Sequence, residues 1–298
     1  MNPLRTLISA DDLRARIAAS ANTSAPLLAI VDCRADLLRP TLGYESFLSE
    51  HLPRAQFADL NTMLAGPVIA GRTGRHPLPD EPTFIAQIAA LGIGDDTSVV
   101  CYDQGAGAFA ARLWWLLRWI GHADTAVLDG GLTAWQQHGG ALESGAAPTP
   151  PPGRLTGRAT LTRTIAATEL ITATVLLDAR DAARYRGDVE PIDSKAGHIP
   201  GAINAPYAEN LTPNGQFKGR GALRAQFAER VPAFAANSIA ANSTAANSIA
   251  VYCGSGVTAC HDILALVHAG YAEPALYPGS FSEWITDPAH EVATGAAP

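Results

Sequence analysis

The chain has 298 residues, enough for two ordinary domains, and 47% of them are apolar, which is ample for hydrophobic cores. Only 16% are charged and the formal net charge is −7, which argues against a nucleic-acid binder, since such proteins carry a basic patch or stripe. No uninterrupted apolar run is long enough to span a bilayer, Met1-Asn2-Pro3-Leu4-Arg5 does not lead from a cationic region into an apolar one, and Cys33, Cys101, Cys253 and Cys260 fit no zinc spacing. The expectation is a reduced, cytoplasmic protein with no metal, no cofactor, and neither membrane nor nucleic acid as partner.

In chain order, Leu28-Ala29-Ile30-Val31 reads as a buried strand ending on Asp32-Cys33-Arg34, and a His51-Leu52-Pro53 turn follows. A second apolar run, Val99 to Tyr102, ends on Asp103 and opens into Gln104-Gly105-Ala106-Gly107-Ala108. The pattern from Phe109 to Ile120 predicts a helix stopped by Gly121. Leu128-Asp129-Gly130-Gly131 then leads to Trp135. The proline- and glycine-rich stretch Ser144–Gly153 reads as an extended linker.

Beyond it the same order returns. Val175-Leu176-Leu177-Asp178-Ala179-Arg180 matches the first strand, His198-Ile199-Pro200 the first turn, Ile249–Tyr252 the second strand, and Tyr277-Pro278-Gly279 through Trp284 the segment ending at Trp135. Three Ala-Asn-Ser copies within residues 235–250 read as a loose surface insertion. The division expected is residues 1–143 for the first repeat, 144–160 for a linker and 161–298 for the second repeat. Alternating strands and helices predict, in each repeat, a parallel sheet covered by helices on both faces, an α/β fold.

Active groups in such sheets sit at the carboxyl ends of strands. Cys253 has that place. It follows the strand ending at Tyr252, and Gly254-Ser255-Gly256-Val257-Thr258 leads into a helical pattern, Cys260–Val267. A sulfur between a strand end and a helix start faces backbone N–H groups and the positive end of a helix, a setting that favours thiolate and makes a nucleophile. Apolar packing around that sulfur would remove the expectation. Gly254 and Gly256 let the backbone curl around whatever the sulfur carries. The first repeat has Asp103 at the matching position, which cannot carry sulfur, so it is expected to be catalytically inactive.

These motifs together resemble the tandem-domain rhodanese-family sulfurtransferases, over nearly the whole chain. The loop Cys253-Gly-Ser-Gly-Val-Thr-Ala-Cys260 is similar to that of the 3-mercaptopyruvate members, whereas thiosulfate-preferring members usually have basic residues after the cysteine. The resemblance implies two parallel sheets of about five strands each. It also implies a Cys253 persulfide that takes sulfur from a small-molecule donor, 3-mercaptopyruvate or thiosulfate, and passes it to cyanide, a small thiol or a thioredoxin-like protein, in two half-reactions. The N–H groups through Thr258, with Gly254, Gly256 and Val257, would hold the persulfide charge. Arg184, read as lying in a loop beyond a strand end, matches the family's substrate arginine. A second family arginine follows a Glu-Pro pair, but here Glu190-Pro191 is followed by Ile192-Asp193, which leaves Arg186 as the possible replacement. His76 matches a histidine that acts with Ser255, while the acidic partner position falls on Asn61, with Asp59 two residues before it.

Blander assignments go to the remaining groups. Cys33 and Cys101 are expected in the core, Cys260 in helix packing, His51 and His198 in structural turns, and Asp32–Arg34 and Asp178–Arg180 as architectural ion pairs. His261 and His268 stand seven apart on one helical pattern with no acidic or cysteine ligand joining the two, so no metal site is expected there. Trp114, Trp115 and Trp119 are expected in packing. A phosphatase would need an arginine six positions after Cys253, where Ala259 stands. A non-enzymatic sulfur carrier or partner-binding module is the distant alternative, and the intact loop speaks against it.

Overall fold

A computed structural model describes residues 3–20, 27–173, 175–231 and 249–298. The Ala-Asn-Ser repeats lie outside the described residues. The chain divides into two compact units. The first comprises residues 1–66, 79–161 and 213–216, and the second 67–78, 162–212 and 217–298. The excursion of 67–78 into the second unit matters below, because it carries part of the candidate site.

In the first unit, β1 (Leu7–Ile8), β2 (Leu28–Asp32), β3 (Gln56–Phe57), β4 (Ser98–Tyr102) and β5 (Thr125–Leu128) form one parallel sheet in the order β1-β5-β4-β2-β3. β4 is central and buried along its whole length, as a strand covered on both faces must be. Helices α1 (Ala10–Ser20), α2 (Leu42–Ser49), α3 (Glu81–Ala90), α4 (Ala108–Trp119) and α5 (Gly131–Gln137) accompany it. α3 starts where Asp80 accepts the Thr83 N–H and Pro82 occupies the first turn. α4 starts one residue before the sequence expectation and buries Trp114 and Trp115 completely. The segment 144–160 forms no helix or strand, yet it is no free tether. The N–H groups of Gly145, Gly153 and Arg158 bond to the carbonyls of Leu48, Ala89 and Ile120.

The second unit repeats the plan with β6 (Val175–Asp178), β7 (Ala202–Asn204), β8 (Ile249–Tyr252) and β9 (Ala275–Leu276), parallel throughout in the order β7-β6-β8-β9. Its helices are α6 (Ala182–Arg186), α7 (Arg220–Arg230), α8 (Thr258–His268) and α9 (Ser280–Trp284). Among the described residues the sheet has four strands rather than five. The lane equivalent to β1 is reduced to one parallel bridge, Thr164 to Leu276, held by bonds from Ile165 N to Leu276 O and from Leu276 N to Arg163 O. α8 buries Ile263, Leu264 and Leu266, each worth about 2 kcal/mol relative to exposure. That anchors the helix whose first turn faces Cys253.

The same ion pair ends the matching strand of each sheet. Arg34 is forked onto Asp32, with Nη2 2.7 Å from Oδ2, and Arg180 onto Asp178 at 2.6 Å. All four are buried. Arg34 Nη2 also donates to the Glu50 carbonyl and Arg180 Nη2 to that of Gly197, so each guanidinium ties a strand end to a turn. Burial opposes the charge on Arg180, but Asp178 outweighs it and the pKa is raised. His51 and His198 sit in equivalent turns, with Nδ1 against the Phe47 and Tyr185 carbonyls respectively.

Candidate active site

Cys253 stands at the carboxyl end of β8, the strand between β6 and β9. Its backbone is clamped on both sides. The N–H donates to Ser280 Oγ at 3.1 Å, and the carbonyl accepts from Phe281 N at 3.0 Å. The next carbonyl, of Gly254, accepts from Ser282 N. The residue is only 2% exposed, but its sulfur is not sealed in an apolar pocket. Sγ accepts the Gly256 N–H at 3.1 Å. The N–H groups of Ser255, Val257 and Thr258 have no acceptor among the described residues. A sulfur at the centre of such a loop, just ahead of α8, faces a ready-made anion cradle.

Gly256 makes the loop possible. Its φ is +79°, and a Cβ there would lie 2.5 Å from the Pro278 carbonyl oxygen, so any side chain would collide with backbone. Val257 is the residue before α8 and Thr258 the first residue within it. Ser255 turns the other way. Its Oγ lies 2.7 Å from His76 Nδ1, and both residues are buried. The position expected to be acidic carries Asn61, and the nearby Asp59 caps a turn of the first unit. Asp59 Oδ1 accepts the N–H groups of Asn61 and Thr62 and the Thr62 hydroxyl, closing its own turn.

Arg184 does not lie in a loop, contrary to the sequence expectation. It sits within α6, which Asp181 starts by accepting the Ala183 N–H and Gly187 ends at φ +80°. The turn aims its guanidinium at the Cys253 loop. A Cβ built on Gly254 would lie 3.6 and 3.7 Å from Arg184 Nη1 and Nη2. Glu190 holds Arg184 with bonds to Nε at 3.1 Å and Nη2 at 2.8 Å, and Asp193 bonds Nη2 at 3.0 Å. Arg186 does not join them. It pairs with Asp188 at the surface.

The residue missed at the sequence level is Arg75, immediately before His76. Its Nη2 would lie 2.8 Å from a Cβ on Gly254, nearer than any atom of Arg184, and its Nη1 pairs with Asp193. Its backbone N–H is fixed to Ser282 Oγ at 3.1 Å. Burial first, then the neighbouring Arg184 guanidinium, lowers its pKa. The only hint in the sequence was adjacency to His76.

The other cysteines stand apart from this chemistry. Cys260 is buried in the first turn of α8 and donates to the Gly256 carbonyl at 3.3 Å. Burial raises the pKa of Cys33, and that of Cys101 to about 12. His261 stacks on Phe217 at 4.4 Å. No helix among the described residues is long and apolar enough to cross a membrane.

A model of the rhodanese-like domain matches the chain twice, over residues 9–138 and 162–287. Two similar proteins carry provisional names. A Pseudomonas aeruginosa protein named for 3-mercaptopyruvate sulfurtransferase activity is 44% identical over 295 residues, covering 97% of this chain and 98% of its own. A Mycobacterium tuberculosis protein named for thiosulfate sulfurtransferase activity is 40% identical over 302 residues, covering 98% of each. Among solved structures, the 3-mercaptopyruvate sulfurtransferase of Leishmania major superposes with a TM-score of 0.80 at 31% identity, covering 95% of this chain and 75% of that one.

Proposed function

The chain belongs to the rhodanese family, and on that premise we propose that it is a sulfurtransferase that moves sulfur from 3-mercaptopyruvate to a thiol or cyanide through a persulfide on Cys253. The observation that carries this reading is the Cys253 loop, with the sulfur under a backbone N–H and a serine–histidine pair and two arginines around it. Residues 161–298 would form the catalytic repeat, 1–143 the non-catalytic one, and 144–160 the join. The four free cysteines suit a reducing compartment such as the cytoplasm.

In the first half-reaction, a lone pair of the Cys253 thiolate forms a bond to the donor sulfur. The donor carbon–sulfur bond breaks, and its electron pair leaves on carbon as the enolate of pyruvate. Ser255, backed by His76, supplies a proton to that carbon, and the donor thiol proton released from the new persulfide restores the pair. In the second half-reaction, cyanide or a thiolate attacks the outer sulfur, the S–S bond breaks, and its electron pair returns to Cys253 as thiolate. The N–H groups of the loop bind whichever sulfur carries the charge.

Thiosulfate is the second reading, favoured by the name of the mycobacterial relative. Gly254 and Ser255 add no cation to the loop, and the Ser255–His76 pair has a task only when a carbanion leaves. Steady-state assays with both donors and cyanide as acceptor decide between them. A kcat/KM for mercaptopyruvate at least about tenfold above that for thiosulfate is expected, equivalent to about 1.4 kcal/mol of transition-state preference. Equal or higher efficiency with thiosulfate would reverse the assignment.

A further inference from the structure

We propose that Ser280 is the positioning residue for the nucleophile: its hydroxyl fixes the peptide that carries Cys253, and the second repeat accepts a strained serine to keep it there. The proposal rests on the sulfurtransferase reading and says how that site holds its sulfur in place. Ser280 is fully buried at the start of α9, and its φ is +55°, in the left-handed region where a side chain is strained. The other non-glycine residue with such a φ among the described residues, Arg54, lies in an exposed turn. Strain of this kind persists only where the surroundings hold it, and it gathers at working sites.

The two repeats isolate what the serine adds. Strand register sets Val251 against Leu276 and Cys101 against Val127, so Ser280 corresponds to Gly131, whose φ is +54°. Both repeats clamp the loop with two backbone bonds from the residues that follow. The Phe281 and Ser282 N–H groups donate to the Cys253 and Gly254 carbonyls, as those of Leu132 and Thr133 donate to the Asp103 and Gln104 carbonyls. A third bond is particular to the second repeat. The Cys253 N–H donates to Ser280 Oγ at 3.1 Å, and the Ser280 hydroxyl donates to the Tyr277 carbonyl at 2.9 Å. With its hydrogen committed to Tyr277, the oxygen can only accept from Cys253. Gly131 has no side chain to offer Asp103, and a Cβ there would lie 2.4 Å from the Asp103 carbonyl oxygen. The first repeat thus closes its turn tightly on a glycine, whereas the second makes room for a side chain beside its nucleophile. Held at both N–H and carbonyl, Cys253 keeps Sγ on the Gly256 N–H at 3.1 Å. Released at the N–H, the residue would be free to turn about its carbonyl anchor and swing the sulfur off that donor.

The test compares wild type, Ser280→Gly and Ser280→Ala. Glycine removes the hydroxyl and relieves the strained φ, whereas alanine removes the hydroxyl and keeps the strain, so Ser280→Gly should unfold at the higher denaturant concentration of the two. Both should nevertheless lose kcat alike, roughly tenfold to a hundredfold, with KM for mercaptopyruvate within about threefold. Sulfur loading from an uncharged alkyl hydropersulfide, whose outer sulfur Cys253 can take while the alkyl thiolate leaves, should slow by the same factor. So should alkylation of Cys253 by iodoacetamide at fixed pH, followed by intact mass. Wild-type kcat in Ser280→Gly, a loss confined to mercaptopyruvate, or alkylation that is unchanged or faster would overturn the assignment. A wild-type chain that gains no sulfur from mercaptopyruvate would instead remove the sulfurtransferase reading, while the alkylation comparison would still decide for or against Ser280.

Discussion

The loop after β4 and the loop after β8 start from the same place in the same fold and reach opposite ends. Both follow a buried tyrosine whose hydroxyl accepts a turn N–H, Tyr102 from Leu52 and Tyr252 from Ile199. Both contain a left-handed glycine, Gly107 at φ +77° and Gly256 at φ +79°. In the first loop, the Asp103 carboxylate fills the cradle itself. Oδ1 accepts from Gly105 and Gly107, and Oδ2 from Phe109 and Ala110, at 2.9 to 3.3 Å. In the second, Cys253 Sγ takes the Gly256 N–H and leaves other donors for a further sulfur. A cradle satisfied from within is a structural element, and one left partly open is a binding site. The residue that follows the tyrosine decides whether the cradle is filled from within, and the framework of ion pairs beneath is shared.

The comparison can be broken most severely at the sulfur. Cys253→Ala should lower turnover by more than about a thousandfold, because no other group can carry the intermediate. Adding Asp103→Cys to that variant should restore nothing, since the first loop has Gln104 and Gly105 where the second has Gly254 and Ser255, and the Ser255–His76 pair and both arginines stay at the second loop. Measurable turnover in the double variant would mean that a thiol in the cradle suffices. Less severe is loss of the proton donor. Ser255→Ala or His76→Ala should slow the mercaptopyruvate half-reaction roughly a hundredfold. Loading from an uncharged alkyl hydropersulfide should hardly change, because its thiolate leaves without protonation. Rapid-mixing measurements of pyruvate release against persulfide formation separate the two.

On the structural side, Gly256→Ala should cost about 2 kcal/mol or more in denaturant unfolding, from the left-handed backbone and the clash with Pro278. Asp103→Ala should cost about 1–3 kcal/mol, because it strands four buried N–H groups, while leaving kcat unchanged. The smallest effect is a pH dependence. Burial raises the pKa of Asp103 from 3.8, and the four N–H groups pull it back only in part. The folded state therefore holds that proton more tightly than the unfolded chain. The resulting stability is fully present below 3.8 and is lost as pH rises through the raised value. The stability of wild type relative to Asp103→Asn should fall as pH rises above 3.8, and a flat difference would mean that the carboxyl titrates normally.

Much of this is legible in the chain because burial and nucleophile placement are local. Val99–Tyr102 and Ile249–Tyr252 announce central strands by continuous apolar character, and Cys253 announces the site by following one of them into glycines. The short helix around Arg184 was also readable, since Asp181 and Gly187 bracket Ala182–Arg186 as cap and terminator, but five residues carry too little periodicity to outweigh a loop. The fifth lane of the second sheet shrank to a single bridge at Thr164, which no propensity marks. Arg75 was hidden for a different reason. It belongs by position to the first repeat and by packing to the second unit, and its partner is Asp193, 118 residues away. Pattern matching within one repeat looks after Glu190-Pro191 for a cation, whereas the fold brings one in from elsewhere and leaves an anion there to hold it.

The central claim, that Cys253 alone accepts the transferred sulfur, is tested most directly by intact-mass spectrometry of the wild-type and Cys253→Ala chains after mercaptopyruvate and removal of excess donor. The wild type should gain the mass of one sulfur atom and lose it on addition of cyanide, and the variant should gain nothing. A wild type that stays unmodified, or a variant that gains the same mass, would contradict it.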